Sequence, residues 1–117
     1  GKRVVIVPPW EEHDPEDGEV VVEINPSLAF GTGHHETTRL CIEAIERMSG
    51  EGRAKKVLDV GCGSGILAIS AYKLGVTDVT AFDTDPIAIK ESRNNAERNS
   101  VLGEVKFFCG YIQSVTG

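Results

Sequence analysis

The chain has few cysteines, few basic residues and no long apolar run, and each shortage excludes a class of protein. Its three cysteines, Cys41, Cys62 and Cys109, are odd in number and far apart, so neither a disulfide framework nor a structural zinc site is expected. No apolar segment approaches the roughly 20 residues of a membrane helix, and no signal-peptide pattern is found. These features favour a soluble protein of the reducing cytoplasm.

Basic residues are outnumbered by acidic ones, 12 to 18, which gives a formal charge of −6. Such a charge opposes attraction to a phosphate backbone, so contact with nucleic acid is not expected. The length of 117 residues fits one domain. The sequence begins at Gly1 without a methionine and stops at Gly117 shortly after a predicted strand, so we expect both ends to be cut from a longer protein.

The first part of the chain, residues 1–33, is predicted to form a β-hairpin followed by a glycine-rich loop. Arg3–Val7 and Glu19–Ile24 are rich in β-branched residues and are separated by a segment rich in proline and acidic residues, which predicts two antiparallel strands. Trp10 is expected to pack on this hairpin. The loop Asn25–Gly33 contains too much glycine and proline for regular structure.

Residues 34–117 are predicted to form a helix followed by the first βαβαβ half of a parallel α/β domain, the whole chain being one structural domain. The first helix should end near Ser49-Gly50, and one of its faces is formed by Leu40, Cys41, Ala44, Ile45 and Met48. Short apolar runs then alternate with helical stretches, as in βαβ units. The predicted strands and helices, in chain order, are Lys56–Val60, Ser64–Leu74, Asp78–Phe82, a helix from Pro86 to about Asn99 capped by Asp85, and Val105–Cys109.

A glycine-rich turn follows the strand Lys56–Val60. Gly61, Gly63 and Gly65 let the backbone turn sharply and allow close approach of a ligand, and the following helix offers N–H groups at its start. Asp83 ends the next strand, where its carboxylate can accept both hydroxyls of a ribose. Glycine turns are often purely structural, but this order of strand, turn, helix, strand and carboxylate predicts a nucleoside site.

The residues around the turn favour S-adenosylmethionine over a dinucleotide. The dinucleotide fingerprint requires glycine where this chain has Ile66. Asp59 stands two residues before the first glycine, where its charge would repel a pyrophosphate but suit a cationic amino-acid group. S-adenosylmethionine carries such a group and has no phosphate.

Two stretches, Asn25–Thr38 and Val57–Ile69, resemble the family of methyltransferases that modify ribosomal protein L11. The loop Ala29–Gly33 with the pair Thr37-Thr38 is the most specific part, Asp83–Pro86 and Asn94–Asn99 add to it, and the resemblance extends from Val4 to Gly110. It implies a partial Rossmann-like sheet of the class I methyltransferase type. It also implies methyl transfer to lysine side chains and an N-terminal amine of a ribosomal protein.

The resemblance and the turn together define the expected cofactor-binding residues. They are Thr38, Asp59, Gly61, Cys62, Gly63, Gly65, Asp83 and Thr84, with Phe30, Gly31, Thr32 and Gly33 in a loop beside the methyl donor. On spacing alone, Thr38 is as often an ordinary first-turn residue. Tyr111 stands where related chains carry an acidic residue that bonds adenine, and it could stack on the base instead. The asparagine-containing motif beside the reacting amine lies beyond this chain, so its catalytic residues are unknown, and we expect cofactor binding with little or no activity.

Other candidate chemistry is less favoured. His34, His35 and Glu36 are adjacent, so they point in different directions from a helix, and no third ligand stands at helical spacing; no metal is expected. Cys62 could be an activated thiol at a helix start, but a small spacer is the favoured interpretation.

Two rival functions and one mode of assembly stay open. The chain could be a nicotinamide-dependent oxidoreductase fragment, against which Ile66 argues, or an excised or engineered half-domain that serves only as a folding module. The strand order predicted for βαβ units leaves Lys56–Val60 at an edge, with Val57, Leu58 and Val60 apolar. That edge predicts a homodimer, unless the N-terminal hairpin covers it within one chain.

Overall fold

A computed structural model describes residues 2–25, 35–52 and 55–111, and it has the predicted α/β architecture. The strands of this part of the chain are β1 (Arg3–Val7), β2 (Glu19–Glu23), β3 (Lys56–Val60), β4 (Asp78–Asp83) and β5 (Lys106–Cys109), and the helices are α1 (His35–Gly50), α2 (Ile66–Lys73) and α3 (Pro86–Arg98). The described strands form one sheet of two strands and one of three.

The three-stranded sheet carries the predicted βαβ units. Its order is β3-β4-β5 with parallel pairing, and α2 and α3 form the crossovers. The central strand β4 is buried on both faces, as is typical of parallel sheets covered by helices. β3 lies at an edge, as the sequence predicts. Asp85 caps α3 by accepting a hydrogen bond from the Ile87 amide at 2.9 Å, and Pro86 begins that helix.

The N-terminal strands are parallel, so the predicted antiparallel hairpin is wrong. Arg3 pairs with Glu19 and Val7 with Glu23, because the connection of residues 8–18 is long enough to return along β1 before β2 begins. The last part of this connection is held by the Glu19 carboxylate, which accepts hydrogen bonds from Arg3, His13 and the Glu16 amide. This small sheet is not hydrogen-bonded to β3, so the described structure gives no strand pairing for the alternative in which the N-terminal strands cover the β3 edge.

Two predicted packing positions differ from the structure. Trp10 is 70% exposed and lies in a turn closed by the Glu11 amide and the Pro8 carbonyl, so it does not anchor the N-terminal strands. The buried face of α1 carries Ile42 and Ile45, whereas Leu40 and Cys41 are exposed. The face is rotated because α1 packs against β1 and α2, and the Glu46 carboxylate of α1 accepts from the Val4 amide at 2.6 Å.

One buried apolar cluster joins the two sheets. Val4 and Val22 from the small sheet, Ile42 from α1 and Ile69 from α2 belong to it together with residues of β4 and β5. α2 contacts β2, β3 and β4, so the turn that precedes α2 lies at the junction of the two sheets. Within the described residues, no helix combines the length and apolar character needed to cross a bilayer.

Candidate functional site

The glycine-rich turn between β3 and α2 is bonded to the end of β4. Gly61, Gly63 and Gly65 have φ values of 71°, 54° and 85°, a region that residues with a side chain rarely adopt. The amides of Gly61 and Cys62 both donate to the Phe82 carbonyl, at 2.8 and 3.1 Å. These amides therefore hold the turn in place, a use that the sequence did not indicate.

The glycines of the turn serve different purposes. A Cβ added at Gly61 would meet nothing within 4 Å, so this position keeps open space beside the backbone. A Cβ added at Gly65 would lie 3.0 Å from Ser92 Cβ on α3, tighter than most Cβ contacts in proteins. Gly61 thus leaves room for a ligand, and Gly65 permits the close packing of the turn on α3.

Asp83 lies beside the turn, at the end of β4. Its Oδ2 accepts from the Gly63 amide at 3.1 Å and its Oδ1 from the Asp85 amide at 2.9 Å. A carboxylate can accept about four hydrogen bonds. The partly exposed Asp83 therefore keeps acceptor capacity for the hydroxyls of a ligand.

An open cleft of about 390 Å³ runs along the carboxyl ends of the three parallel strands, which is where ligands bind in open α/β sheets. It is lined by Val60, Gly61, Phe82, Asp83, Thr84, Gly110 and Tyr111. Three predicted site residues, Gly61, Asp83 and Thr84, thus meet in one cleft. Tyr111 is exposed on its wall, in a position to contact a flat ligand.

Asp59 lies on the face of β3 opposite to Val60, against α2, and is only 7% exposed. Its Oδ2 is buried and has no hydrogen-bond partner among the described residues. Burial raises the pKa of Asp59 to about 6; a hydrogen bond from the Ala68 backbone lowers the pKa in part, and the charge of Asp83 raises it further. Such a group is stabilised by a nearby cation.

Cys62 contributes its backbone to the turn, but its side chain is buried. Its Sγ lies 3.5 Å from Ser92 Oγ, and burial raises its thiol pKa to about 11. The thiol is therefore protonated near neutral pH, as the spacer interpretation predicts, and it is not among the residues that line the cleft.

Among the predicted residues that the structure describes, Asp59, Gly63, Gly65 and Thr38 do not line the cleft. Thr38 lies in the first turn of α1, partly exposed, and is absent from the cleft lining. Phe30, Gly31, Thr32, Gly33 and His34 lie outside the described residues. Sequence reasoning missed Ser92 and Asn95 of α3, which bond the carbonyls of the turn. The sequence pattern that could have identified them is the occurrence of polar residues on the face of α3 that is otherwise apolar.

Comparison with known proteins identifies close relatives. The sequence profile described as ribosomal protein L11 methyltransferase (PrmA) matches residues 1–113. The ribosomal protein L11 methyltransferase of Acetivibrio thermocellus is 44% identical over 113 residues, which are 97% of this chain and 35% of that protein. The ribosomal protein L11 methyltransferase of Geobacter metallireducens is 50% identical over 105 residues, which are 90% of this chain and 34% of that protein. The chain therefore spans about a third of the length of these relatives.

Solved structures of similar proteins share the fold of this chain. A ribosomal protein L11 methylase from Lactobacillus delbrueckii subsp. bulgaricus superposes with a TM-score of 0.83 at 34% identity, covering 97% of this chain and 57% of that one. A putative RNA methyltransferase from Pyrococcus horikoshii superposes with a TM-score of 0.56 at 22% identity, covering 77% of this chain and 44% of that one. At this identity the similarity supports the fold alone. On the profile match and these identities, the chain belongs to the ribosomal protein L11 methyltransferase family.

Proposed function

We propose that this chain is the cofactor-binding portion of an S-adenosylmethionine-dependent methyltransferase that acts on lysine and N-terminal amines of ribosomal protein L11. The observation that carries the proposal is Asp83, which a turn amide holds at 3.1 Å and which keeps free acceptor capacity on a cleft. The membership of the family supports the substrate class. When bound, S-adenosylmethionine supplies an electrophilic methyl group on a sulfonium.

The residues of the site fit the parts of this cofactor. Asp83 would accept the ribose hydroxyls, and the exposed ring of Tyr111 would stack on the adenine. The unpaired Oδ2 of Asp59, buried below the turn, would give a negative potential that favours the cationic amino-acid group. Gly61 and Thr84 would form the surface between them.

A nicotinamide dinucleotide fits less well. The carboxylates of Asp59 and Asp83 are close enough for the charge of Asp83 to raise the Asp59 pKa, and both would repel a pyrophosphate. The side chain of Ile66 is buried where a dinucleotide site needs glycine. The site therefore favours a ligand without phosphate.

We propose further that the 117-residue chain binds the cofactor without transferring its methyl group efficiently. A lysine amine, with an ordinary pKa of about 10.4, must lose its proton before it attacks. Asp83 is the one carboxylate in the described cleft lining, and its remaining acceptor capacity is assigned to the ribose hydroxyls, so this lining offers no base for that proton. Rapid methylation of purified L11 by this chain would contradict this assignment.

A ribosomal substrate would place the protein in the cytoplasm, which fits its free thiols.

The edge of β3 supports a proposal about assembly. The outer edge of β3 is not paired in the described sheet, and Leu58 and Val60 are 47% and 68% exposed on that strand. Unpaired edges with apolar side chains are templates for pairing with another chain. We propose that two copies of this chain associate through β3.

Calorimetric titration tests the cofactor proposal. S-adenosylhomocysteine, the demethylated product, should bind with one site per chain, and NAD should give no measurable heat at the same concentrations. Failure of S-adenosylhomocysteine to bind, or tighter binding of NAD, would overturn the proposal.

A further inference from the structure

The outer edge of β2 is bonded by side chains of α2 and α3. Odd-numbered residues of β2 direct backbone groups away from β1, and side chains bond the Val21 carbonyl and both backbone groups of Glu23. The Val21 carbonyl accepts from Lys73 Nζ at 2.7 Å. The Asn99 side-chain amide bonds both the N–H and the C=O of Glu23, at 2.8 Å each. The small sheet is thus held to the helices by directional bonds as well as by apolar contact.

Asn95 of α3 bonds Asn25, two residues after Glu23, and also reaches the glycine turn. It is completely buried; its Oδ1 accepts from the Asn25 amide at 3.1 Å, and its Nδ2 donates to the Ser64 carbonyl at 2.9 Å. Arg98 also donates to Oδ1, at 3.3 Å. The orientation of the side-chain amide is fixed by chemistry, since the Ser64 carbonyl requires a donor and the Asn25 N–H requires an acceptor.

The carbonyl that Asn95 holds belongs to the glycine turn beside the cleft. Ser64 stands between Gly63, whose amide bonds Asp83, and Gly65. The Gly63 carbonyl accepts from Ser92 Oγ at 3.0 Å, so α3 fixes two consecutive carbonyls of the turn. A shift of the Ser64 carbonyl would therefore move the Gly63 amide away from the Asp83 carboxylate.

We propose that Asn95 is a positioning residue of the cofactor site, which fixes the glycine turn relative to the end of β2. This proposal rests on the proposed cofactor-binding function. Asn95 does not line the cleft; it acts through Ser64 and Gly63. Asn95 thereby links the glycine turn to Asn25, which follows the N-terminal sheet, although that sheet contributes no residue to the cleft lining.

Two isosteric substitutions separate this role from general stability. Asn95→Asp removes the donor to Ser64 and keeps the acceptor for Asn25, and Arg98 favours the ionised form of the new carboxyl group. Asn99→Asp makes the same chemical change one helical turn further on, where the side chain bonds Glu23, Asn95 and Lys73. Each substitution removes the side-chain donor of a backbone carbonyl, the buried Ser64 C=O in Asn95→Asp and the part-buried Glu23 C=O in Asn99→Asp, so unfolding of both variants is measured beside binding.

The first readout is affinity for S-adenosylhomocysteine, measured by calorimetry with thermal unfolding of each variant as a reference. Asn95→Asp should weaken binding about tenfold, the factor that corresponds to about 1.4 kcal/mol, and Asn99→Asp less than about twofold. Equal losses of affinity in the two variants would overturn the proposal.

The second readout needs no ligand. Amide hydrogen exchange at Gly63 and Gly65 should be faster in Asn95→Asp than in the parent, and unchanged in Asn99→Asp; parent-like exchange in both variants would overturn the proposal. If the parent does not bind S-adenosylhomocysteine, the proposed function fails, and exchange still decides the role of Asn95. If Asn95→Asp does not fold, exchange in the parent decides: the amides of Asn25 and Gly63 should open with the same denaturant dependence, and independent opening would overturn the proposal.

Discussion

The Gly63 amide donates to Asp83 Oδ2 over 3.1 Å, so the backbone of one strand-to-helix turn is bonded to the side chain that ends the neighbouring strand. The other oxygen of the same carboxylate accepts from the Asp85 amide at the start of α3. Asp83 therefore orders the entrances of both crossover helices before any ligand is present. A site organised in this way loses less conformational entropy when it binds a ligand.

Replacing Asp83 by alanine should weaken the binding of S-adenosylhomocysteine by about 1 to 3 kcal/mol, the range for lost hydrogen bonds to a charged group. Asp78→Ala is the matched control, because Asp78 is an exposed carboxylate at the opposite end of the same strand. Calorimetry on both variants measures the difference. Parent-like affinity in Asp83→Ala would remove this carboxylate from the site.

Asp59→Asn should make the chain more stable at neutral pH and change its pH dependence. The pKa of Asp59 is raised from 3.8 to about 6 in the folded chain, so the folded state binds the proton more tightly than the unfolded state. The contribution of protonated Asp59 to the free energy of unfolding is complete below pH about 4 and is lost as the pH rises through about 6. The free energy of unfolding of Asp59→Asn should therefore exceed that of the parent by an amount that grows over this window, to at most about 3 kcal/mol.

Urea denaturation of parent and Asp59→Asn at pH 4 and pH 7 measures this difference. The matched comparison removes contributions from other carboxylates, including Glu19, whose pKa is lowered to about 2 by hydrogen bonds from the Glu16 backbone, His13 and Arg3. A stability difference that does not change between the two pH values would show that Asp59 is paired or solvated in the folded chain.

Gly65→Ala should destabilise the fold by about 2 to 4 kcal/mol. The left-handed conformation costs about 1 to 2 kcal/mol for alanine, and the added Cβ would also press on Ser92 at 3.0 Å. Gly52→Ala is the control, because Gly52 has a similar φ of 70° and nothing within 4 Å of the added Cβ. Thermal unfolding of the two variants isolates the steric contribution, and equal losses of stability would contradict the close packing of the turn on α3.

Association through the β3 edge should respond to Leu58→Lys and not to Leu102→Lys. Both leucines are 47% exposed, but only Leu58 lies on the edge strand. Light scattering over a concentration series should show a dimer for the parent and for Leu102→Lys, and a monomer for Leu58→Lys. A parent chain that stays monomeric at high concentration would rule out the dimer.

The βαβ part of the chain could be predicted from local signals. Asp85 followed by Pro86 marks the start of α3 correctly, and the apolar run Asp78–Phe82 gives the buried central strand almost to the residue. Asp83 is found beside the turn because parallel connectivity brings the carboxyl ends of neighbouring strands together.

The N-terminal part could not be predicted in the same way. Nothing local distinguishes an antiparallel pair from a parallel pair when the connection is as long as residues 8–18, because the choice depends on packing against α1 and α2. The uses of Asn95 and Asn99 were hidden for a similar reason. Their partners are far away along the chain, and only the folded state brings them within hydrogen-bond distance.

The bonds between Asn99 and Glu23 join residues 76 positions apart. Closing so long a segment costs conformational entropy that local contacts do not repay, so long-range pairings of this kind form slowly. During synthesis, α3 leaves the ribosome long after β2, and the carbonyl and amide groups on the outer edge of β2 stay hydrated until it arrives. β2 is made before α3, but it should reach its final packing only after α3 has been made.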